Sequence, residues 1–224
     1  GVPLPIRNVA NRSALDDAAD HIEDRLAEGA GRAERAALGA RQHMLGQIEQ
    51  ALVSDDGLPR QLVTLDTEGE GRAVIAVGDV SSADHVSFLI PGMFFGVDAQ
   101  IVAWTEAAAT VVRQKTEWLE RLGRGDETAA AIAWIGYRTP SLVNVASMEL
   151  AREGRDTLTA SLVGLREARG DDQPYLSVLA HSYGSTAALL SLEEHDVWVD
   201  ALAIVGSPGS TARSVDELHV VDGN

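Results

Sequence analysis

Apolar residues recur at helical spacing through the first quarter of the chain and then give way to short, nearly continuous apolar runs. After the prolines of GVPLPI, which read as an extended arm, Leu15, Ala19, Ile22 and Leu26 fall on one helical face, with Ser13 as a candidate cap. GAG at 29–31 interrupts that helix, and Leu38, Met44, Leu45, Ile48 and Leu52 define a second. The two helices are expected to form an antiparallel hairpin, so that 1–55 is an N-terminal arm with a helical hairpin and 56–224 is a core.

Beyond DDGLP the period changes. RQLVTLD and RAVIAVGD, joined by the turn TEGEG, read as strands, and VSFLIPG, AIAWIGY, PYLSVLA and DALAIVGSPG follow them. VSFLIPG is so apolar that both of its faces must be covered. Between these strands lie helical stretches: one from Asp98, a candidate cap, to about Gly123, then LVNVASMELA, DTLTASLVGLREAR and GSTAALLSLEE. Strands alternating with helices predict an α/β fold, with a parallel or mostly parallel sheet and right-handed crossovers.

Composition narrows the chemistry. Eighteen basic residues stand against thirty-four acidic ones, a formal net charge of −16 in 224 residues. Such a surface repels a phosphate backbone, and no basic patch offsets it, so nucleic acid is a poor partner. Without cysteine there is no disulfide, thiol nucleophile or thiolate-bound metal. The six histidines lack metal-ligand spacing, so neither a metal nor an organic cofactor is expected. No apolar run reaches the roughly 18 residues of a membrane span, so no transmembrane segment is expected. The first residue is Gly1, which leaves localisation open between secreted and cytoplasmic. The glycine fingerprint of a dinucleotide site and the lysine-bearing loop of a nucleotide triphosphatase are both missing.

One stretch carries candidate chemistry. In LAHSYGSTAALL, Ser182 lies directly after an apolar strand and directly before a helix that begins with small residues. A nucleophile on a sharp strand-to-helix turn needs little bulk two residues to either side. Gly184 meets that need after the serine, and Ala180 stands before it where glycine is usual. A serine that attacks a carbonyl also needs donors for the oxyanion. The amide of Tyr183 supplies one, and the IPGMFF loop supplies another from Met93 or Phe94, with Gly92 permitting the close approach. Phe94, Phe95 and Tyr137 are candidate pocket residues, and His181 is expected to bury beneath the turn as part of its support. The competing reading is a plain turn with a capping serine.

HSYGS and IPGM, together with the GD and ADHV of 78–86, WIGY at 134–137, NRSAL near the start and GSPG at 206–209, resemble the actinobacterial branch of the α/β-hydrolase superfamily formerly known as a domain of unknown function. The resemblance runs from about residue 11 to 218. It implies a mostly parallel sheet flanked by helices, and an esterase- or lipase-like serine hydrolase acting on a small-molecule or lipid ester. It also implies the order nucleophile, acid, histidine, with the acid after a seventh strand and the histidine after an eighth. His195 and His219 follow Ser182 but neither lies where that plan needs a base, and Asp216 and Asp222 come too early for the acid. The last core strands, the acid and the histidine are therefore expected in a companion C-terminal polypeptide or a further segment. The alternative is a non-catalytic binding or scaffold protein on the same fold. The stretch from Tyr137 to Arg155 is a candidate lid.

Overall fold

A computed structural model describes residues 2–140, 148–194 and 197–221. Its elements are α1 (Leu4–Ala27), α2 (Arg32–Ala51), β1 (Arg60–Asp66), β2 (Arg72–Val77), β3 (His85–Ile90), α3 (Val97–Arg121), β4 (Ala129–Ile135), α4 (Met148–Arg169), β5 (Tyr175–His181), α5 (Tyr183–Glu194) and β6 (Ala201–Val205). The strands form one sheet in the order β1-β2-β4-β3-β5-β6. β1 and β2 run antiparallel to their neighbours, and β4, β3, β5 and β6 are mutually parallel. The mostly parallel α/β sheet predicted from the strand–helix alternation is thus observed.

The expected N-terminal arm is instead the start of α1. Pro3 is its N-cap and Pro5 sits in its first turn, where a missing N–H costs nothing because no carbonyl precedes it to bond. Ser13 consequently lies inside the helix rather than at its cap. Asp98 likewise falls in the first turn of α3, behind an N-cap at Gly96, where its charge complements the positive end of the helix. Of the stretch LVNVASMELA, residues 141–147 lie outside the described residues, and 148–169 form one continuous helix.

The hairpin and sheet share a core. Leu15 and Ile22 of α1 and Leu45 and Ile48 of α2 pack with Leu62, Ile75, Ile101 and Ile135. α1 also masks the outer edge of β1 at its irregular point between Leu62 and Thr64. There the Leu62 amide donates to Asn8 Oδ1 and Asn11 Nδ2 donates to the Leu62 carbonyl, at 2.8 and 2.9 Å. Arg12 adds a bond to the Arg60 carbonyl. Two side-chain amides thereby satisfy the backbone groups that an edge strand otherwise offers to other chains. On the opposite face α4 and α5 cover Phe88, Trp134 and Val178 with Leu158, Leu162 and Ala188.

The far edge is different. β6 reads ALAIV, yet Ile204 and Val205 are 44% and 53% exposed. On the α3 side of β5, Tyr175 and His181 are exposed, and Ser177 and Leu179 only half-buried. α3 reaches that side through Lys115, whose ammonium donates to Ser177 Oγ at 3.1 Å. Burial pushes the Lys115 pKa down to about 8. The folded value lies below the ordinary 10.5, so the unfolded chain holds more protons between those values and stability rises with pH from about 8 to 10.5. A shift of this size amounts to at most about 3 kcal/mol, which partial exposure cuts to about 1–2 kcal/mol. Lys115→Met is therefore expected to raise the urea midpoint at pH 7 and to lose that advantage above pH 10. An equal gain at both pH values would show that burial of the charge is not the cause.

Candidate active site

β5 and α5 meet at Ser182, and the meeting is strained. Among the described residues only Ser182 and Phe94 are non-glycine residues with positive φ, at 49° and 61°. A β-carbon crowds the carbonyl in that region, so the surrounding structure must hold both residues there. At Ser182 the amide donates to the Val205 carbonyl at 2.8 Å, and its own carbonyl accepts from the Ser185 amide at 3.0 Å. The first bond anchors the turn to the end of β6, and the second starts α5.

Glycines make room for it. A β-carbon on Gly184 would stand 2.1 Å from the Pro91 carbonyl oxygen, and one on Gly92 would stand 2.7 Å from Ser182 Cβ. Both are the clearances a sharp nucleophile turn requires. Ala180 is fully buried and in register with Ile90, so a methyl group fits where glycine is usual. Tyr137 donates its hydroxyl to the same Pro91 carbonyl at 3.1 Å. Burial raises the Tyr137 pKa, which keeps the phenol protonated as a donor. The Tyr183 hydroxyl accepts from the Ala151 amide at 3.0 Å, tying the start of α5 to α4.

The two amides expected as a second oxyanion donor differ in their bonding. The Phe94 amide already donates to the Pro140 carbonyl at 3.1 Å, so it is not available to an oxyanion. The Met93 amide has no such partner among the described residues. The Phe95 amide donates to Thr139 Oγ1, and its ring packs edge-on against Trp104 at 4.9 Å. Phe95 and Tyr137 thus belong to packing rather than to a pocket wall: Tyr137 is 1% exposed and stacks on Trp134. Phe94, half exposed, does line a cleft of about 700 Å³ between α2 and the loop after β3.

His181 does not bury beneath the turn. It ends β5 pointing to the face that α3 leaves open and is exposed there, because strand alternation puts it opposite the buried Ala180. The other described histidines are far from Ser182 in the fold. His85 starts β3 at the opposite end of the sheet and bonds Glu127 at 2.8 Å. The backbone carbonyl of His219 accepts from the Val199 amide ahead of β6; at about 3.3 Å per residue, the length of β6 puts that backbone roughly 20 Å from the Ser182 end. His21 and His43 lie in the hairpin, and His195 and Asp222 lie outside the described residues. No group of three histidine or carboxylate side chains among the described residues is arranged to hold a metal, and no described helix is long and apolar enough to cross a membrane.

A strand followed by a strained serine, a glycine-cleared helix start and the loop after β3 beside them form one constellation, and residues 66–224 match the family profile described as alpha/beta hydrolase. The chain belongs to the α/β-hydrolase family. An uncharacterized protein of Mycobacterium tuberculosis is 29% identical over 168 residues, which cover 73% of this chain and 63% of that relative. A second protein of that organism is 28% identical over 163 residues, covering 69% of this chain and 24% of the relative. The matched region thus spans less than two thirds of the curated relatives. Among solved structures, a cold-adapted esterase from an Arctic intertidal metagenomic library superposes with a TM-score of 0.42 at 12% identity, covering 68% of this chain and 62% of the esterase. A Pyrococcus furiosus esterase gives 0.39 at 14% identity, covering 72% and 53%.

Sequence reading passed over several supporting groups. Pro91 offers only a carbonyl, and nothing in its neighbours signals that Tyr137, far along the chain, would hold it. Asn8 and Asn11 have helical spacing that could have marked a polar stripe, yet their target at Leu62 is a tertiary fact.

Proposed function

We propose that this α/β-hydrolase domain is the nucleophile-bearing part of a serine esterase, and that a further segment of polypeptide supplies its histidine and acid. The observation that carries this reading is the positive φ of Ser182 between β5 and α5, with Gly184 and Gly92 leaving just enough room for it. Strain of this kind at a polar residue is a functional device more often than an accident.

In this reaction the histidine takes the proton from Ser182 Oγ while the oxygen attacks the ester carbonyl. The tetrahedral oxyanion accepts from the amides of Tyr183 and Met93. The histidine then protonates the departing alcohol, leaving an acyl-serine. Water, deprotonated by the same histidine, attacks that acyl group and regenerates the serine.

The bare edge of β6 supports the proposed completion. Val220 forms a parallel bridge with Val199, just ahead of β6. A strand continuing in that direction would run beside β6 toward the end of the sheet that carries Ser182, and would cover its exposed apolar edge. The rival reading is a non-catalytic binding protein, favoured by the distance from the serine of the described histidines other than His181, its neighbour in sequence. A fluorescent phosphonate decides between them. In the whole natural protein, a covalent adduct on the peptide containing Ser182 is expected by intact-mass and peptide analysis. A folded whole protein that takes no adduct would leave the binding reading standing.

A further inference from the structure

The cleft beside Phe94 has no assigned role, and its position follows from the turn itself. Gly92 touches Ser182, and Phe94 is two residues further along. Two residues span at most about 7 Å, so the cleft opens within the length of a short acyl chain from the nucleophile, although Ser182 is not on its wall. The loop is held in place: Phe94 has φ 61° with its amide on Pro140, and Phe95 is bonded to Thr139. That arrangement keeps the Phe94 ring on the cleft wall.

The opposite wall is the hairpin. Ala37, Ala40 and Met44 of α2 line it, and their spacing places them on one helical face. Two alanines leave space that larger side chains would fill. The polar rim is mostly acidic, with Glu68, Glu70 and Asp98. The cation among the lining residues, Arg41, is already engaged by Glu68 Oε1 at 2.8 Å and by Thr67 Oγ1 at 2.6 Å. A negatively charged chain would meet repulsion here with no uncommitted cation to receive it.

We infer that this cleft is the acyl-binding site and that it selects uncharged esters with a medium-length apolar acyl chain, the N-terminal hairpin forming half of the specificity pocket. The inference rests on Ser182 as the nucleophile, and its test keeps the two separable. In the whole protein, p-nitrophenyl octanoate and acetate are compared in the native enzyme, in Ala40→Trp and in Gln42→Trp, a control at an exposed position about 160° around α2 from Ala40. Ala40→Trp is expected to lower the octanoate-to-acetate ratio of kcat/KM at least tenfold, with phosphonate labelling of Ser182 retained and the ratio unmoved in Gln42→Trp. Binding of 2-decanone, a neutral analogue that cannot be hydrolysed, is followed in parallel by saturation-transfer NMR. That signal is expected in the native protein and lost in Ala40→Trp, whether or not the serine reacts. An unchanged ratio with labelling intact, or 2-decanone bound equally by both proteins, would overturn the cleft assignment. Absence of labelling in the native protein would overturn the nucleophile instead, and the NMR result would then judge the cleft alone.

Discussion

Replacing Ser182 with alanine in the whole protein is expected to lower kcat/KM for an ester by about 10⁴-fold or more, while leaving the melting temperature unchanged or raised. The size follows from the chemistry: without the hydroxyl no acyl-enzyme forms, and only binding and oxyanion stabilisation remain to speed attack by water. The stability effect follows from geometry. Ser182 holds φ at 49° through its backbone, with the amide on Val205 and the carbonyl on Ser185, and alanine keeps both bonds. Initial rates and thermal unfolding on the same preparations check the pair of outcomes. Activity within tenfold of the native enzyme would remove Ser182 from the mechanism.

Gly184→Ala is expected to cost about 3 kcal/mol or more, the largest stability loss proposed for this chain. The added carbon would lie 2.1 Å from the Pro91 carbonyl oxygen and 3.1 Å from Ile90 Cγ2. Backbone at the end of a central strand cannot swing aside as a flexible side chain can, and Tyr137 holds the same carbonyl from the other side. Relief requires β3 and α5 to separate. Gly39→Ala is the informative contrast. That glycine lies within α2, is exposed, and has nothing within 4 Å of an added carbon, so the change should raise stability by up to about 1 kcal/mol. Chemical denaturation of both variants reads the difference directly. Similar midpoints for the two would show that clearance at Gly184 is not limiting.

Much of this architecture was legible in the sequence because parallel strands covered on both faces leave continuous apolar runs. VSFLIPG, AIAWIGY and PYLSVLA became β3, β4 and β5 close to their expected limits. The start of α1 was misread because two prolines suggest an extended chain, whereas the first turn of a helix accepts them. His181 was misplaced for another reason. Its burial depended on whether a helix covers that face of β5, and a local pattern does not carry that information. The sequence does not distinguish the Phe94 amide from that of Met93, because the Pro140 carbonyl that accepts from Phe94 lies more than forty residues away in the chain.

Local chemistry by itself determined the order of strands and helices, the serine at the junction of two of them, and the small residues beside it. Each of these depends on neighbours a few positions apart, where side-chain size and hydrophobic period act directly. Only the tertiary structure decided that Pro91 is what Gly184 must clear, that the Pro140 carbonyl takes the Phe94 amide, and that the hairpin walls a cleft near the loop after β3. Those outcomes arise where segments distant in sequence compete for the same space and the same hydrogen bonds, and that competition exists only once the sheet has brought them together.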